Sequence, residues 1–266
     1  MKVAIIGAGP AGLVAAKFIS KENKVVVFDG NSDAGKKLLL TGSGRCNIGN
    51  TNNDLSKYHS SNNELIKKII NDKNLDKLNN FFKEIGLVLK NKNGYLYPYS
   101  EKSSSVLSCL KSSLDVDFRF NTYIENIKRK DNKFIINKEV FDKVIITTGG
   151  LSYPKTGSTG EGFYLAKAFG HKVTNLNPSL MALETKTGLE KEWSGIRCEV
   201  NASSYIDGNK IKKEHGELQL TSFGLSGICI FNLSRDIRLA LNEEKTCEVR
   251  INFCPWTDDL SKYMGE

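Results

Sequence analysis

The sequence predicts a mixed α/β protein with a parallel sheet in its first domain and a second domain rich in β-strands. Residues 3–28 run from an apolar strand through a glycine turn into a helix of small residues and then a second strand, which is a βαβ unit. After Pro178 the chain shows short β-rich runs and polar turns, with no second βαβ pattern. We therefore expect domains over residues 1–177 and 178–266.

Between these two regions the sequence predicts helices and then a β-meander. Apolar residues at three-to-four spacing in residues 61–86 predict two short amphipathic helices, broken near Asn71 to Asn74, whose apolar stripe should belong to the core. The runs FRFNTYIENI, KFIINK and DKVIITT, separated by the turn KRKDN, predict an antiparallel meander that feeds a buried strand. In the second domain, RCEVNASSYI, ELQLTSF, ICIFNLS and CEVRINF predict strands.

The composition fits a globular protein. The 266 residues are 39% hydrophobic and 26% charged, close to globular averages, so a substantial core can form. No segment approaches the roughly 18 consecutive apolar residues of a membrane span. Glycines come too early in MKVAIIGAGPAG for the apolar region of a signal peptide. We expect a soluble, cytoplasmic protein with no membrane partner.

Cysteines, histidines and charge exclude some functions and leave one open. The six cysteines form no CxxC pair and the three histidines are scattered, so we expect no metal site. The net charge of +8 leaves RNA open as a partner, because clustered cations bind polyanions. The basic residues are scattered and only seven are arginine, which favours a solvated lysine-rich surface and gives RNA weak support.

The strongest motif is GxGxxG at Gly7, Gly9 and Gly12, between the first strand and the first helix. Gly7 permits a tight turn, Gly9 lets the backbone approach a diphosphate, and Gly12 lets helix and strand pack closely. Asp29 ends the next strand, 17 residues after Gly12, where a carboxylate accepts hydrogen bonds from ribose hydroxyls and repels a 2′-phosphate. The motif predicts the adenosine of FAD or NAD in preference to NADP. The alternative is a glycine turn without a ligand.

Two further glycine loops extend this prediction. In residues 35–50, GKKLLLTGSGRCNIGN, the donors around Gly42, Gly44 and Asn47 suit an anionic or planar ligand, and Arg45 adds a cation; the alternative is a surface turn. The segment VIITTGGLSYPKTGSTGEGF reads as a strand that returns to the parallel sheet, ends at Thr148 and Gly149, and leads through a loop into a helix. A meander in place of a helical crossover favours flavoproteins over simple nicotinamide dehydrogenases.

Taken together, the segments GAGPAGL, LLLTGSGRCNIGN, GYLYPYS, TTGGLSYPKTGSTGEGF and GELQLTSFGLSG resemble the BaiN/RdsA family of FAD-dependent oxidoreductases, the aminoacetone oxidase-like flavoproteins. The resemblance implies a two-dinucleotide-type Rossmann FAD-binding domain, with a meander crossover, interrupted by a β-rich insert domain. The residues that it implies line the cofactor are Gly7, Gly9, Pro10, Ala11, Gly12, Asp29, Lys37, Gly44, Arg45, Cys46, Asn47, Thr148 and Gly149, with the backbone near Ile124 beside the adenine.

The sequence departs from the family pattern in three ways. Asp29 stands where the family often has glutamate, and GLSGICIF lacks the proline that usually follows SerGly. Family members also continue well beyond residue 266, so the resemblance implies an incomplete insert domain. Either the chain is a fragment that lacks the segment covering the flavin ring or its flavin pocket is open, and we expect a fragment.

The expected function is that of a flavin-dependent oxidoreductase, which reduces a C=C bond with NAD(P)H as transient donor or oxidises a small substrate of unknown identity. Arg45 and nearby amides would stabilise charge on the reduced ring, and Cys46 or Tyr153 would donate a proton. Both residues have a structural alternative, a buried thiol and a packed aromatic ring. Two other functions stay open. One is a nucleotide-binding or RNA-associated protein, which either reduces a ribosomal uridine or binds without catalysis, and the other is an NAD-dependent dehydrogenase.

Overall fold

The computed structural model describes residues 1–52, 54–60, 62–188 and 190–257. The chain divides into two compact units, Met1–Val173 and Thr174–Glu266. The domain boundary at residues 177/178 stays a prediction. In chain order, the elements of the first unit are β1 (Lys2–Ile6), α1 (Pro10–Ile19), β2 (Lys24–Phe28), α2 (Lys36–Leu40), β3 (Gly49–Asn50), α3 (Asn63–Ile69), α4 (Asp72–Glu84), β4 (Leu89–Lys92), β5 (Tyr95–Pro98), α5 (Ser103–Ser112), β6 (Asp117–Arg119), β7 (Lys128–Lys130), β8 (Lys133–Ile136), β9 (Glu139–Phe141), β10 (Lys143–Ile146) and α6 (Glu161–Lys167).

A parallel sheet with the strand order β10-β1-β2-β6 is the centre of the first unit. β1 is buried from Val3 to Ile6 because neighbouring strands and core residues cover it, which explains its uninterrupted apolar sequence. Ile6 lies beside Phe28 of β2 and Ile146 of β10, so these three strands end at the same edge of the sheet. The predicted βαβ unit and the predicted α/β class are confirmed.

The meander is also confirmed, with a different first strand. β7, β8 and β9 form an antiparallel sheet, and the chain then enters β10. The run that begins at Phe118 instead supplies β6, which pairs in parallel with β2. Phe118 and Phe120 stack on each other and pack against the core of the first unit, so this run has its own partners away from the meander.

Ion pairs join the meander to the parallel sheet. The Glu139 carboxylate on β9 accepts hydrogen bonds from Lys2 of β1 and from Arg119 of β6. These two cations, Arg119 first, hold the pKa of Glu139 below its usual range. The ionised form of Glu139 is therefore favoured in the folded state.

We expect Glu139→Gln to lower the free energy of unfolding by about 0.5–1 kcal/mol at neutral pH, because the half-exposed pair is partly screened. A lowered folded-state pKa stabilises the protein above the unfolded value of about 4.3, and this stabilisation is lost as the pH falls through the folded value. The free energies of unfolding of the parent protein and of Glu139→Gln, measured in urea, should therefore differ near pH 7 and converge below about pH 4. Glu64→Gln, which removes the exposed pair with Lys67, is the control. A difference for Glu139→Gln that persists in acid would contradict this account.

The two predicted amphipathic helices form, but only the second one contributes its apolar face to the core. Asn71 caps α4 by accepting a hydrogen bond from the Asn74 N–H (3.0 Å), which explains the break. Phe81 and Phe82 of α4 are buried, whereas Leu65 and Ile69 of α3 are about half exposed. The expectation that the whole stripe is core is wrong, because the extended backbone at Asn71 interrupts its helical periodicity.

The second unit contains an antiparallel sheet with a helix packed on it. In chain order its elements are β11 (Leu183–Glu184), β12 (Arg197–Ile206), β13 (Asn209–Thr221), β14 (Gly224–Ser226), α7 (Ile228–Asn242) and β15 (Cys247–Asn252). The strand order is β11-β14-β13-β12-β15. The core lies between α7 and the sheet, where Leu233 packs with Val200 and Leu218.

One predicted strand of the second unit is wrong. The run ICIFNLS begins α7 and is helical. The residues of α7 that are buried in the core, Cys229, Ile230, Leu233 and Ile237, recur at the three-to-four spacing of a helix face. The β-branched isoleucines at positions 228 and 230 favoured a strand, and packing of the helical face outweighed that local preference.

Among the residues that the structure describes, no helix combines the length and the apolar character needed to cross a membrane.

Candidate functional site

A groove of about 300 Å³ lies at the edge where β1, β2 and β10 end. It brings together nine of the residues that the sequence analysis proposed for cofactor binding. These are Gly7, Gly9, Pro10, Ala11, Asp29, Lys37, Ile124, Thr148 and Gly149. Their meeting follows from the topology, since parallel strands place the loops at their carboxyl ends side by side.

Two glycines of the first motif are required by packing inside the protein. Gly7 has a φ of +106°, and a Cβ there would lie 2.5 Å from the carbonyl oxygen of Thr147. A Cβ on Gly12 would lie 2.0 Å from the carbonyl oxygen of Gly7. Gly7 and Gly12 therefore allow β1, α1 and the end of β10 to approach closely, and Gly12 packs behind the groove without lining it.

Gly9 has no comparable role within the protein. Its φ of −74° is open to any residue, and a Cβ there would have no atom of the described residues within 4 Å apart from those of its chain neighbours. Gly9 precedes α1, whose first residue is Pro10, and no side chain caps this helix. The first turn of α1 contains no acidic residue. Free backbone N–H groups, a positive helix end and a glycine facing open space together suit a bound anion.

Asp29 holds the loops beside Gly9. Its Oδ2 accepts a hydrogen bond from the Ala8 N–H (2.7 Å), and its Oδ1 accepts two from Asn31, from the backbone N–H (2.8 Å) and from Nδ2 (2.9 Å). A carboxylate offers about four lone-pair positions. The three bonds therefore leave Oδ2 able to accept another hydrogen bond from a hydroxyl group in the groove.

The structure adds an aromatic residue that the sequence analysis missed. Tyr123 lines the groove, and 55% of its surface is exposed. Gly30 lies against its ring: a Cβ on Gly30 would be 3.3 Å from Cδ2 of Tyr123. The adjacent Ile124 is buried, and its peptide groups pair with no other peptide group of the described chain. An aromatic ring next to free peptide groups suits a flat heterocycle. The sequence analysis had placed the backbone near Ile124 beside the adenine, but it had interpreted Tyr123 only as part of a β-rich run.

A basic group and a hydroxyl group of the groove lie beside Gly149. The position of a Cβ on Gly149 would be 2.8 Å from Ser158 Oγ and 4.0 Å from Lys37 Nζ, so both groups lie close to the end of β10. Lys37 has no carboxylate within ion-pair distance in the described part of the chain. The half-buried Lys37 ammonium is therefore available to a ligand phosphate.

The loop before α6 also belongs to the groove, and the sequence analysis had not assigned its residues. Asn31 Nδ2 donates to the carbonyl oxygen of Thr156 (3.2 Å), and Gly157 packs directly against that amide. Asn31 also donates hydrogen bonds to Asp29. It therefore connects the Asp29 carboxylate to the loop before α6. In the sequence, the repeated glycines of GSTGEG were the available signal that this loop belongs to the site. That Asn31 is the partner of the loop could be recognised only from the tertiary contact.

The second glycine loop, residues 35–50, lines this groove only at its start, from Gly35 to Lys37, and residues 42–44 have a distinctive backbone. Gly42, Ser43 and Gly44 all have φ between +55° and +83°. Arg45 stacks on Tyr97 of β5 (5.5 Å to the ring centre), and its Nε donates to the carbonyl oxygen of Gly42. The predicted cofactor contacts of this loop are those of Gly42, Gly44, Arg45, Cys46 and Asn47, and they stay predictions.

The two proposed proton donors lie in different surroundings. Cys46 is buried in the core beside residues such as Leu38, and burial raises the pKa of its thiol. Tyr153 is 69% exposed, with a φ of +55° where the loop turns. A thiol with a raised pKa stays protonated, which suits a proton donor better than a nucleophile. Neither residue lines the groove, and both catalytic assignments stay predictions.

The parallel sheet, the glycine turn before α1 and the carboxylate at the end of β2 define the first unit as a Rossmann-type domain. The chain belongs to the HI0933-like family, whose Rossmann-domain model matches residues 1–241. The predicted resemblance to the BaiN/RdsA flavoproteins is confirmed.

Two curated relatives show what kinds of protein this chain is similar to. It is 31% identical over 264 residues to the 3-dehydro-bile acid delta(4,6)-reductase of Clostridium scindens. This alignment covers 96% of this chain and 64% of that protein. It is 29% identical over 246 residues to a ribosomal RNA dihydrouridine synthase of Haemophilus influenzae, over 86% of this chain and 60% of that protein. The chain thus spans less than two thirds of the length of these relatives. That it is a fragment stays a prediction.

Among solved structures, the open conformation of a flavocytochrome c3 fumarate reductase aligns with a TM-score of 0.46 at 17% identity. The alignment covers 79% of this chain and 44% of that one.

Proposed function

We propose that this protein binds FAD and serves as a flavin-dependent oxidoreductase that reduces a carbon–carbon double bond. The observation that carries the proposal is Gly9. Neither backbone conformation nor packing requires glycine at this position, yet it faces open space at an uncapped helix start in the groove. A ligand that must approach the backbone closely gives a physical reason for the missing side chain.

Each part of the cofactor has suitable residues in the groove. We assign the diphosphate to the free N–H groups at the start of α1, with Lys37 as a supporting cation. We assign the adenosine ribose to Asp29 Oδ2 and the adenine to the wall formed by Tyr123 and Ile124. The carboxylate of Asp29 repels a 2′-phosphate, which supports FAD over NADP as the resident nucleotide.

Bound FAD would supply the redox chemistry by accepting and donating a hydride equivalent. The chain contributes binding and electrostatics. Arg45 is held by Tyr97, and its terminal Nη atoms have no hydrogen-bond acceptor in the described residues. We therefore assign to Arg45 the role of stabilising the negative charge that develops on the flavin ring. Cys46 or Tyr153 is retained as the proposed proton donor. NAD(P)H is the proposed electron donor, used transiently.

The type of reaction is taken from the relatives. A delta(4,6)-reductase and a dihydrouridine synthase are both named for the addition of hydrogen across a C=C bond. A conjugated small molecule and a uridine in RNA are therefore the two substrate classes to test. The RNA alternative rests on the more distant of these two relatives and on the net charge of +8.

The test begins with the purified protein. We expect it to be yellow, or to become yellow when FAD is added, and we expect heat to release FAD as identified by chromatography. A colourless protein that takes up no FAD would contradict the proposal. Reduction by NADH or NADPH, followed by reoxidation with a conjugated enone or with uridine-containing RNA, then distinguishes the substrate classes.

We expect Asp29→Ala to weaken FAD binding at least about tenfold, since a hydrogen bond to a charged acceptor contributes about 1.5–3 kcal/mol. It should also lower the free energy of unfolding by about 2 kcal/mol, because the N–H groups of Ala8 and Asn31 lose their acceptor. FAD titration and urea unfolding measure the two effects. Asp33→Ala is the matched control, because this carboxylate lies in the same loop but pairs with Lys111 outside the groove. Equal FAD affinity of the two variants would contradict the assignment.

A further inference from the structure

The second unit contains a larger groove that the proposed function does not use. Its volume is about 700 Å³, and it lies between the two end strands of the sheet, β11 and β15, beside α7. The residues in its wall are mainly apolar. They include Met181, Leu183, Phe223, Leu225, Ile237, Leu241 and Val249. A groove of this size and character is within the range that binds small organic molecules.

Arg238 differs from the other cation in this wall, Lys186, because it has a buried donor without a hydrogen-bond partner among the described residues. Arg238 of α7 lines the groove, its Nε is buried, and no hydrogen bond or ion pair satisfies it in the described residues. A guanidinium group has five N–H donors, and a buried donor without an acceptor is destabilising. On the same helix, Arg235 is paired with Asp236 at 2.8 Å and does not line the groove.

The other charged residues of the groove do not neutralise Arg238. Glu248 of β15 is engaged by Arg250, with 3.0 Å between Oε2 and Nη2. Glu184 and Lys186, which have opposite charges, stand on the β11 side. Among the charges that the structure places around the groove, Arg238 thus combines a buried donor with the absence of any acceptor.

We propose that this groove binds an amphipathic organic anion, a monocarboxylic acid with a flexible or ring-shaped apolar body. The apolar body occupies the space between β11, β15 and α7, and the carboxylate pairs with Arg238. A planar guanidinium group can donate two parallel hydrogen bonds to a carboxylate, which explains an arginine at this place. The apolar wall then supplies affinity, and Arg238 supplies the preference for an acid over a neutral analogue.

The experiment compares decanoate with decan-1-ol, which share the apolar chain and differ in charge, by calorimetric titration of the 266-residue protein. We expect saturable 1:1 binding of decanoate, weaker binding of decan-1-ol, and competition between the two. Arg238→Met should lower decanoate affinity at least tenfold and leave decan-1-ol affinity unchanged. Arg235→Met is the matched control on the same helix and should change neither affinity.

Either of two results would overturn the proposal. The first is the absence of saturable decanoate binding by the parent protein. The second is an equal loss of decanoate and decan-1-ol binding in Arg238→Met while the variant keeps its circular dichroism spectrum and Tm. Leu241→Ala, which removes apolar surface from the wall without removing charge, should weaken the binding of both probes and provides a second test.

Discussion

Gly9→Val should abolish FAD retention and leave the fold in place. The added side chain would project into the groove, because no described residue other than its chain neighbours has an atom within 4 Å of its Cβ. It would therefore obstruct the ligand without disturbing the packing of the described chain. Loss of two charge-assisted bonds between backbone N–H groups and phosphate corresponds to at least about a 100-fold loss of affinity. The expected change in unfolding free energy is about 1 kcal/mol or less, the effect of replacing glycine at a helix N-cap.

FAD titration and urea unfolding of Gly9→Val measure both quantities in one sample. Gly49→Val is the matched control, because this residue lies on β3 outside the groove and its Cβ would make an ordinary contact with Leu96 at 3.8 Å. We expect the control to retain FAD. Unchanged flavin content in Gly9→Val would place the cofactor elsewhere.

The second large effect concerns stability. Gly12→Ala should lower the free energy of unfolding by about 3 kcal/mol or more, since the new methyl group would lie 2.0 Å from the Gly7 carbonyl oxygen and 2.8 Å from Thr147 Oγ1. Alanine improves helix propensity by about 1 kcal/mol, which is too little to compensate. The backbone of Gly7 and the end of β10 would have to move, and the groove would be distorted with them.

The comparison with Gly9→Ala makes this prediction specific, because both substitutions add one methyl group to the same motif. We expect Gly9→Ala to unfold within about 1 kcal/mol of the parent protein. Thermal unfolding followed by circular dichroism can rank the three proteins. A Gly12→Ala protein as stable as Gly9→Ala would show that the close approach of α1 and β1 is not needed.

Both predictions concern a region where local sequence was a reliable guide. The order strand, glycine turn, helix, strand in residues 3–28 reflects short-range geometry, so the βαβ unit could be predicted without knowledge of the rest of the chain. α7 shows the opposite case. Its isoleucines favoured a strand, and only the sheet face beneath Leu233 and Ile237 determined that a helix forms there.

Within the site, sequence reasoning identified residue types better than it identified roles. It predicted that Gly7, Gly9 and Asp29 would meet, and they do. The motif predicted that Gly12 lets helix and strand pack closely, as the structure shows. The family resemblance also placed Gly12 among the cofactor-lining residues, whereas it packs behind the groove. It also missed Asn31, whose contacts reach Thr156, 125 residues away in the chain.

The sequence by itself determined the class of the first unit and the end of the sheet at which a nucleotide would bind, because glycine spacing and strand order are local properties. Only the tertiary structure decided which glycine faces open space, which arginine of α7 has no partner, and which loops share the groove. These features depend on contacts between segments far apart in the chain, and no local pattern of residues encodes the distance between them.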